Sequence, residues 1–206
     1  MKHAVTRSLM AAAITLGSGS TLALEQGDWI VRVGAAHVNP DASSDSVAGS
    51  TLDVGNDTQL GITLGYMYTD NIGIGLLAAT PFKHDIELVG TGTVAETKHL
   101  PPTLTLQYHF APRSNVRPFV GAGLNYTNFF SEEGKGALAG SSIKLDDSWG
   151  LAAEAGVDID INDRWFVSGQ VWYLDIDTKA DISGVANNVN VDIDPWVVMI
   201  GIGTTF

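Results

Sequence analysis

Gln59-Leu60-Gly61-Ile62-Thr63-Leu64-Gly65-Tyr66-Met67-Tyr68 alternates a large apolar residue with a small or polar one along its whole length. In an extended chain, successive side chains point to opposite faces. One face therefore carries Leu60, Ile62, Leu64, Tyr66 and Tyr68, and the other Gln59, Gly61, Thr63, Gly65 and Met67. The same period of two runs through 103–110 and 149–159, and helical periodicity is nearly absent. A soluble sandwich shows this alternation with its apolar face inward. Three features turn it outward, into lipid. The strands reach the ~9–11 residues that cross a bilayer at a tilt, about twice the usual soluble length. Aromatic residues (Trp29, Tyr66, Tyr68, Phe110, Trp149, Trp165, Tyr173, Trp196) gather at strand ends, as interfacial girdles do. The connections, finally, alternate between short and long.

Strands are expected at 28–38, 58–68, 72–80, 100–110, 117–128, 148–161, 164–176 and 193–206. The segments 69–71, 111–116 and 162–163 are short turns, whereas 39–57, 81–99, 129–147 and 177–192 are long, polar and rich in Gly, Ser and Asp. Short periplasmic turns and longer external loops describe an all-β fold: an eight-stranded antiparallel transmembrane β-barrel with both termini in the periplasm. An even number of strands closes the sheet and leaves no unpaired edge in lipid. The third long loop, with Glu132, Gly134, Lys135, Ala137 and Leu138, has the composition of a short helix over the barrel mouth.

The N-terminus reads as an export leader. Lys2, His3 and Arg7 precede an apolar run from Ser8 to Thr15, and Thr21 and Ala23 offer the small residues a signal peptidase requires. The run is shorter than the ~20 residues of a membrane-spanning helix. The expected organisation is a cleaved signal peptide, 1–23, and an outer-membrane β-barrel, 24–206, in a Gram-negative cell. The chain has no cysteine, so no disulfide braces it. Its 23 acidic residues against 11 Lys and Arg give a net charge of −12, and loss of the leader makes it more acidic still. That balance excludes nucleic acid as a partner. It fits a surface of carboxylates beside anionic lipid and lipopolysaccharide, bridged by divalent ions.

Several blocks resemble one family. They are Asn56-Asp57-Thr58-Gln59-Leu60-Gly61, Thr69-Asp70-Asn71-Ile72-Gly73, Leu76-Leu77-Ala78-Ala79-Thr80-Pro81-Phe82, His99-Leu100-Pro101-Pro102-Thr103-Leu104 and Arg117-Pro118-Phe119-Val120-Gly121-Ala122-Gly123. Asn125-Tyr126-Thr127, Trp172-Tyr173-Leu174-Asp175-Ile176-Asp177-Thr178 and Asp194-Pro195-Trp196-Val197 complete the set. In this order and together, they are similar to the outer membrane protein W (OmpW/AlkL) family. The resemblance implies a narrow eight-stranded barrel with a hydrophobic pocket in its outer half. It further implies passive uptake of small hydrophobic molecules, which enter from outside, stop at an apolar plug and leave sideways into the bilayer. By motif the plug falls on Leu77 and Trp172.

Strand parity bears on those two positions separately. Gly73, Gly75, Leu77 and Ala79 share the face expected to line the narrow lumen, and Trp172 shares its face with Ser168 and Gln170. Two roles fit large apolar residues there: a constriction, or plain filling of the lumen. Pro101 and Pro102 lack backbone donors, so strand pairing fails where they stand. They mark either a lateral opening in the wall or an ordinary boundary between loop and strand. Arg32 and Glu154 also point inward by parity, and are expected to join a polar network filling the periplasmic half. The last strand ends on Phe206, with Ile202, Ile200, Val198 and Trp196 on the same face. This resembles the terminal signal read by the bacterial barrel-assembly machinery, although Thr204 stands where a larger apolar residue is usual.

Other constellations carry less. The acidic pairs Asp158/Asp160, Asp175/Asp177 and Asp192/Asp194 lie at strand ends, where solvation or loose cation binding is expected. His84-Asp85, and His99 with Glu96, lie in a loop without a nucleophile elbow, and the spacing of His84 and His99 is poor for zinc. Gly121-Ala122-Gly123 lacks the third glycine of a dinucleotide fingerprint. No enzyme, metal or cofactor is expected. The rival reading is a surface interaction protein (an adhesin, a receptor or a stress-related structural barrel) acting through its acidic external loops.

Overall fold

The computed structural model describes residues 23–47 and 49–206; apart from Ala23, the expected leader lies outside them. Eight strands build the barrel: β1 (Trp29–Asn39), β2 (Asp57–Met67), β3 (Ile72–Ala79), β4 (Thr103–His109), β5 (Val116–Gly134), β6 (Ser148–Asp160), β7 (Phe166–Leu174) and β8 (Trp196–Thr205). Each pairs antiparallel with the next. β8 returns to β1, in register from Ile30↔Thr205 to Asn39↔Trp196, and closes the sheet. Closure satisfies the backbone without water, which a hydrocarbon surround demands. Trp29 and Phe206 exchange both backbone hydrogen bonds (3.0 and 2.9 Å), so the two ends of the barrel chain meet on the short-turn side.

The alternation read from the sequence becomes an inside-out protein. Along β8, Ile200 is 66% exposed while its neighbour Met199 is fully buried; along β4, Leu106 is 62% exposed and Gln107 only 4%. The outward aliphatic band lies between two aromatic girdles. Trp29 packs on Tyr66 at the short-turn end, and Tyr126 on Trp149 and Tyr173 on Trp196 at the other. Glycine makes room within the narrow lumen: a Cβ on Gly75 would strike Gln107, and one on Gly121 would strike Glu154.

The long connections differ from the expected irregular loops. They fold into two small sheets that carry the barrel wall outward. In one, the upper part of β5 pairs with Gly92–Leu100, then Phe82–Leu88, then Leu52–Val54. In the other, Ile143–Leu145, Asp177–Ile182, Ala186–Asp192 and Ser43–Ser44 lie in that order. The reason is again alternation: Val189, Val191 and Ile193 are buried, while Asn190 and Asp192 between them face solvent. The third loop holds only one turn of 3-10 helix, Gly136–Leu138, so its helical composition is overridden by pairing of its flanks.

Candidate functional site

The lumen is filled in two ways. Toward the short-turn end the filling is polar, closed at the bottom by a small apolar cluster of Leu24, Ile30, Met67 and Phe166. The Glu154 carboxylate accepts hydrogen bonds from the Thr105 hydroxyl (2.6 Å) and the Gln107 amide (2.7 Å). Arg32 does not meet Glu154. Its guanidinium grips Asp158 by two bonds, Nε to Oδ1 at 2.9 Å and Nη2 to Oδ2 at 2.6 Å, with both side chains fully buried. Arg117 pairs with Asp160 at 2.6 Å. Phe119 and Phe166 lie against these cations, 4.8 and 5.7 Å from the Arg32 guanidinium carbon. Asp158, expected to be solvated at a strand end, is instead the buried counter-ion of Arg32. The strands are staggered around a tilted barrel, so inward residues close along the sequence project at different heights across the lumen.

Toward the long-loop end the filling is carbon. Leu77 and Trp172 are 5% and 1% exposed and belong to one continuous buried apolar cluster, with Phe82, Phe129, Leu174, Ile176 and Met199. They stand at the boundary of the two fillings. Trp172 is directly opposite Glu154 in the β6–β7 ladder, and Leu77 is opposite Thr103, two residues above Thr105. Above them, the two outer sheets enclose a cavity lined by Leu52, Val54, Ile86, Val94, Phe129, Leu145, Ala180, Ile182, Val191 and Ile193, and by His84 and His99. Its open centre measures about 40 Å³, space for a few water-sized molecules. A guest the size of an ordinary ligand, which needs roughly 300–1,000 Å³, fits only if the sheets part.

The two histidines were not expected to meet. Register places Phe82 opposite His99 and His84 opposite Thr97, which makes the histidines diagonal neighbours on the inner face of one hairpin. Their rings stack, with centroids 4.8 Å apart and planes at 12°. Phe82 and Phe129 flank His99, each at 5.7 Å. Burial pushes the His99 imidazole down to about 3, helped by His84, and pushes His84 down also, against the pull of the Gly55 carbonyl, Asp57 and Asp85. Both rings are therefore neutral near neutral pH. Outside the cavity wall Glu96 pairs with Lys83 (2.9 Å) and Lys135, so it is a strut between strands rather than a partner of His99.

Pro101 and Pro102 lie where the wall changes. The β3–β4 ladder ends at Leu77↔Thr103, and the next pair outward is Phe82↔His99. Between these pairs, Ala78 and Ala79 remain bonded to β2 but not to the proline segment. On its other side the segment stays attached: the Tyr126 amide donates to the Pro102 carbonyl at 3.1 Å. The buried Asn125 amide donates to the Pro101 carbonyl (3.2 Å) and the Thr103 hydroxyl (2.9 Å). The notch is thus one-sided, at the level of the outer aromatic girdle. Asp175, Asp177 and Asp194 lie beyond the outer ends of β7 and β8, across the barrel from the notch, with one carboxylate oxygen of each within 4.8 Å of the others. Partial burial, then the neighbouring carboxylates, hold Asp177 above the usual carboxylate range.

Comparison with known proteins places this arrangement. Residues 25–206 match the model of the OmpW family. The chain is 50% identical to outer membrane protein W of Vibrio cholerae serotype O1, across 96% of this chain and 97% of that protein. The crystal structure of the outer membrane protein OprG from Pseudomonas aeruginosa superimposes with a TM-score of 0.81 at 44% identity, covering 90% of this chain and 99% of that one. A dibenzothiophene metabolism operon protein, PahQ, of Pseudomonas aeruginosa is 29% identical over 88% of this chain and 90% of its own length. With a closed eight-stranded barrel, lipid-facing girdles and a match over nearly its full length, the chain belongs to the OmpW family of outer-membrane proteins.

Proposed function

We propose that the barrel passes small apolar molecules from the medium into the outer leaflet of the membrane. They enter the carbon-lined cavity, stop on a floor formed by Leu77 and Trp172, and leave sideways through the notch at Pro101 and Pro102. The observation that carries this reading is the change of filling at that floor. An apolar guest gains by leaving water for the cavity. Passing further down would require it to displace the Arg32–Asp158 pair and the Glu154 hydrogen bonds, leaving buried charges unsolvated. The bilayer beside the notch is the nearest apolar medium. A relative named for dibenzothiophene metabolism, an apolar heterocycle, agrees with that class of cargo. For delivery of the barrel itself, residues 1–23 serve as a leader. The exposed face of β8, with Phe206 at its end, suits recognition by the assembly machinery.

Replacing Pro101 and Pro102 with threonine supplies two backbone donors and lets the ladder close. In cells that depend on this barrel, uptake of labelled para-xylene should then fall to the level of cells without it. Heat-modifiable migration on gels verifies that the variant is folded. Undiminished uptake by the folded variant removes the lateral exit. Equal uptake with and without the wild-type barrel removes transport altogether and leaves the outer sheets as an interaction surface.

A further inference from the structure

The cavity is carbon-lined but for Thr97, Thr178 and two histidines. His84 and His99 are 1% and 3% exposed, line the cavity, and each has an Nε2 with no hydrogen-bond partner in the protein. The His84 tautomer is fixed by its other nitrogen. Nδ1 lies against the Gly55 carbonyl oxygen, which can only accept, so Nδ1 carries the proton. Nε2 of the neutral ring is then a bare acceptor in an apolar chamber. A buried polar atom without a partner is costly, and native proteins rarely leave one.

We infer that this histidine pair recognises a neutral hydroxyl, so that the cavity prefers alcohols and phenols over hydrocarbons of the same shape. The guest's O–H donates to His84 Nε2, and its oxygen lone pair accepts from His99 in the Nε2–H tautomer, because a hydroxyl can do both at once. A carboxylate has no proton to donate, and an ammonium would lose its hydration against carbon walls. The two rings stack on one wall of the cavity, and His99 is flanked by Phe129, which offers a face to an aromatic guest. The inference rests on the reading of the cavity as a chamber for apolar guests, and narrows it to a chemical class.

Para-cresol and para-xylene differ by a hydroxyl in place of a methyl, and they separate the two ideas. The full barrel in lipid nanodiscs, with isotope-labelled imidazole nitrogens and isoleucine methyls, is titrated with each compound. Shifts of the Ile182 and Ile193 methyls report that the cavity is entered; the His84 Nε2 resonance reports the hydrogen bond. Cresol should move both signals and xylene the methyls alone. The cresol-to-xylene affinity ratio, corrected for partition into protein-free discs, should fall roughly three- to ten-fold in His84→Phe. If cresol moves the methyls and leaves Nε2 in place, the hydroxyl inference fails and the apolar chamber stands. If neither compound moves the methyls, both fail. The wild-type titration decides between these outcomes even if the variant does not fold.

Discussion

The same eight strands enclose two interiors with opposite chemistry. Below the level of Trp172 and Leu77 the lumen is held by directional bonds: Arg32 to Asp158, Arg117 to Asp160, and Thr105 and Gln107 to Glu154. Above it, Phe82, Phe129, Ile182 and Val191 meet through dispersion and burial alone. Directional bonds in a low-dielectric lumen tolerate little movement, since each lost partner leaves a charge or dipole uncompensated. Apolar contacts slide and part at a cost proportional to the area exposed. The lower half is therefore the more rigid of the two, and the upper half the more easily parted.

The sharpest way to break this contrast is to remove one partner of the buried pair. Asp158→Ala leaves Arg32 charged and unpaired, and should cost about 3–5 kcal/mol, read from urea unfolding of the barrel in lipid vesicles. Leu77→Ala should cost less, about 2 kcal/mol, the low end for a buried leucine, because the outer sheets can close into the space. Equal losses for the two variants would mean that the halves are not mechanically distinct. A further effect is set by pH. His99 binds its proton far more weakly when folded (about 3) than when unfolded (6.5), so the unfolded chain takes up the proton first as pH falls. Stability from this group is complete above about 6.5 and declines from there toward 3, at up to about 1.4 kcal/mol per pH unit, with His84 acting in the same direction. Protection factors of the Phe82–Leu88 and Gly92–Leu100 amides, corrected for the intrinsic pH dependence of exchange, should fall between neutral pH and about pH 5, more than those of β6, and His99→Phe should weaken the difference.

Much of the barrel was legible in the chain because a period of two has only one structural meaning over ten residues. The parity of Leu77 and Trp172, the turns and the girdles all follow from it. The same signal was present in Thr178-Lys179-Ala180-Asp181-Ile182 and Val189-Asn190-Val191-Asp192-Ile193, yet Gly, Ser and Asp around these segments favoured loops. Strand pairing outweighed composition there because the alternate apolar residues had a facing sheet to bury against.

Alternation along the chain was enough for the fold and for the lipid and lumen faces, and the missing donors of Pro101 and Pro102 were enough for a break in strand pairing there. The partners across the lumen were decided only by the tertiary structure. Arg32 reaches Asp158 rather than Glu154, and His84 lies on His99, because barrel stagger and hairpin register fix which heights coincide. That offset belongs to the closed sheet as a whole and is written in no single strand.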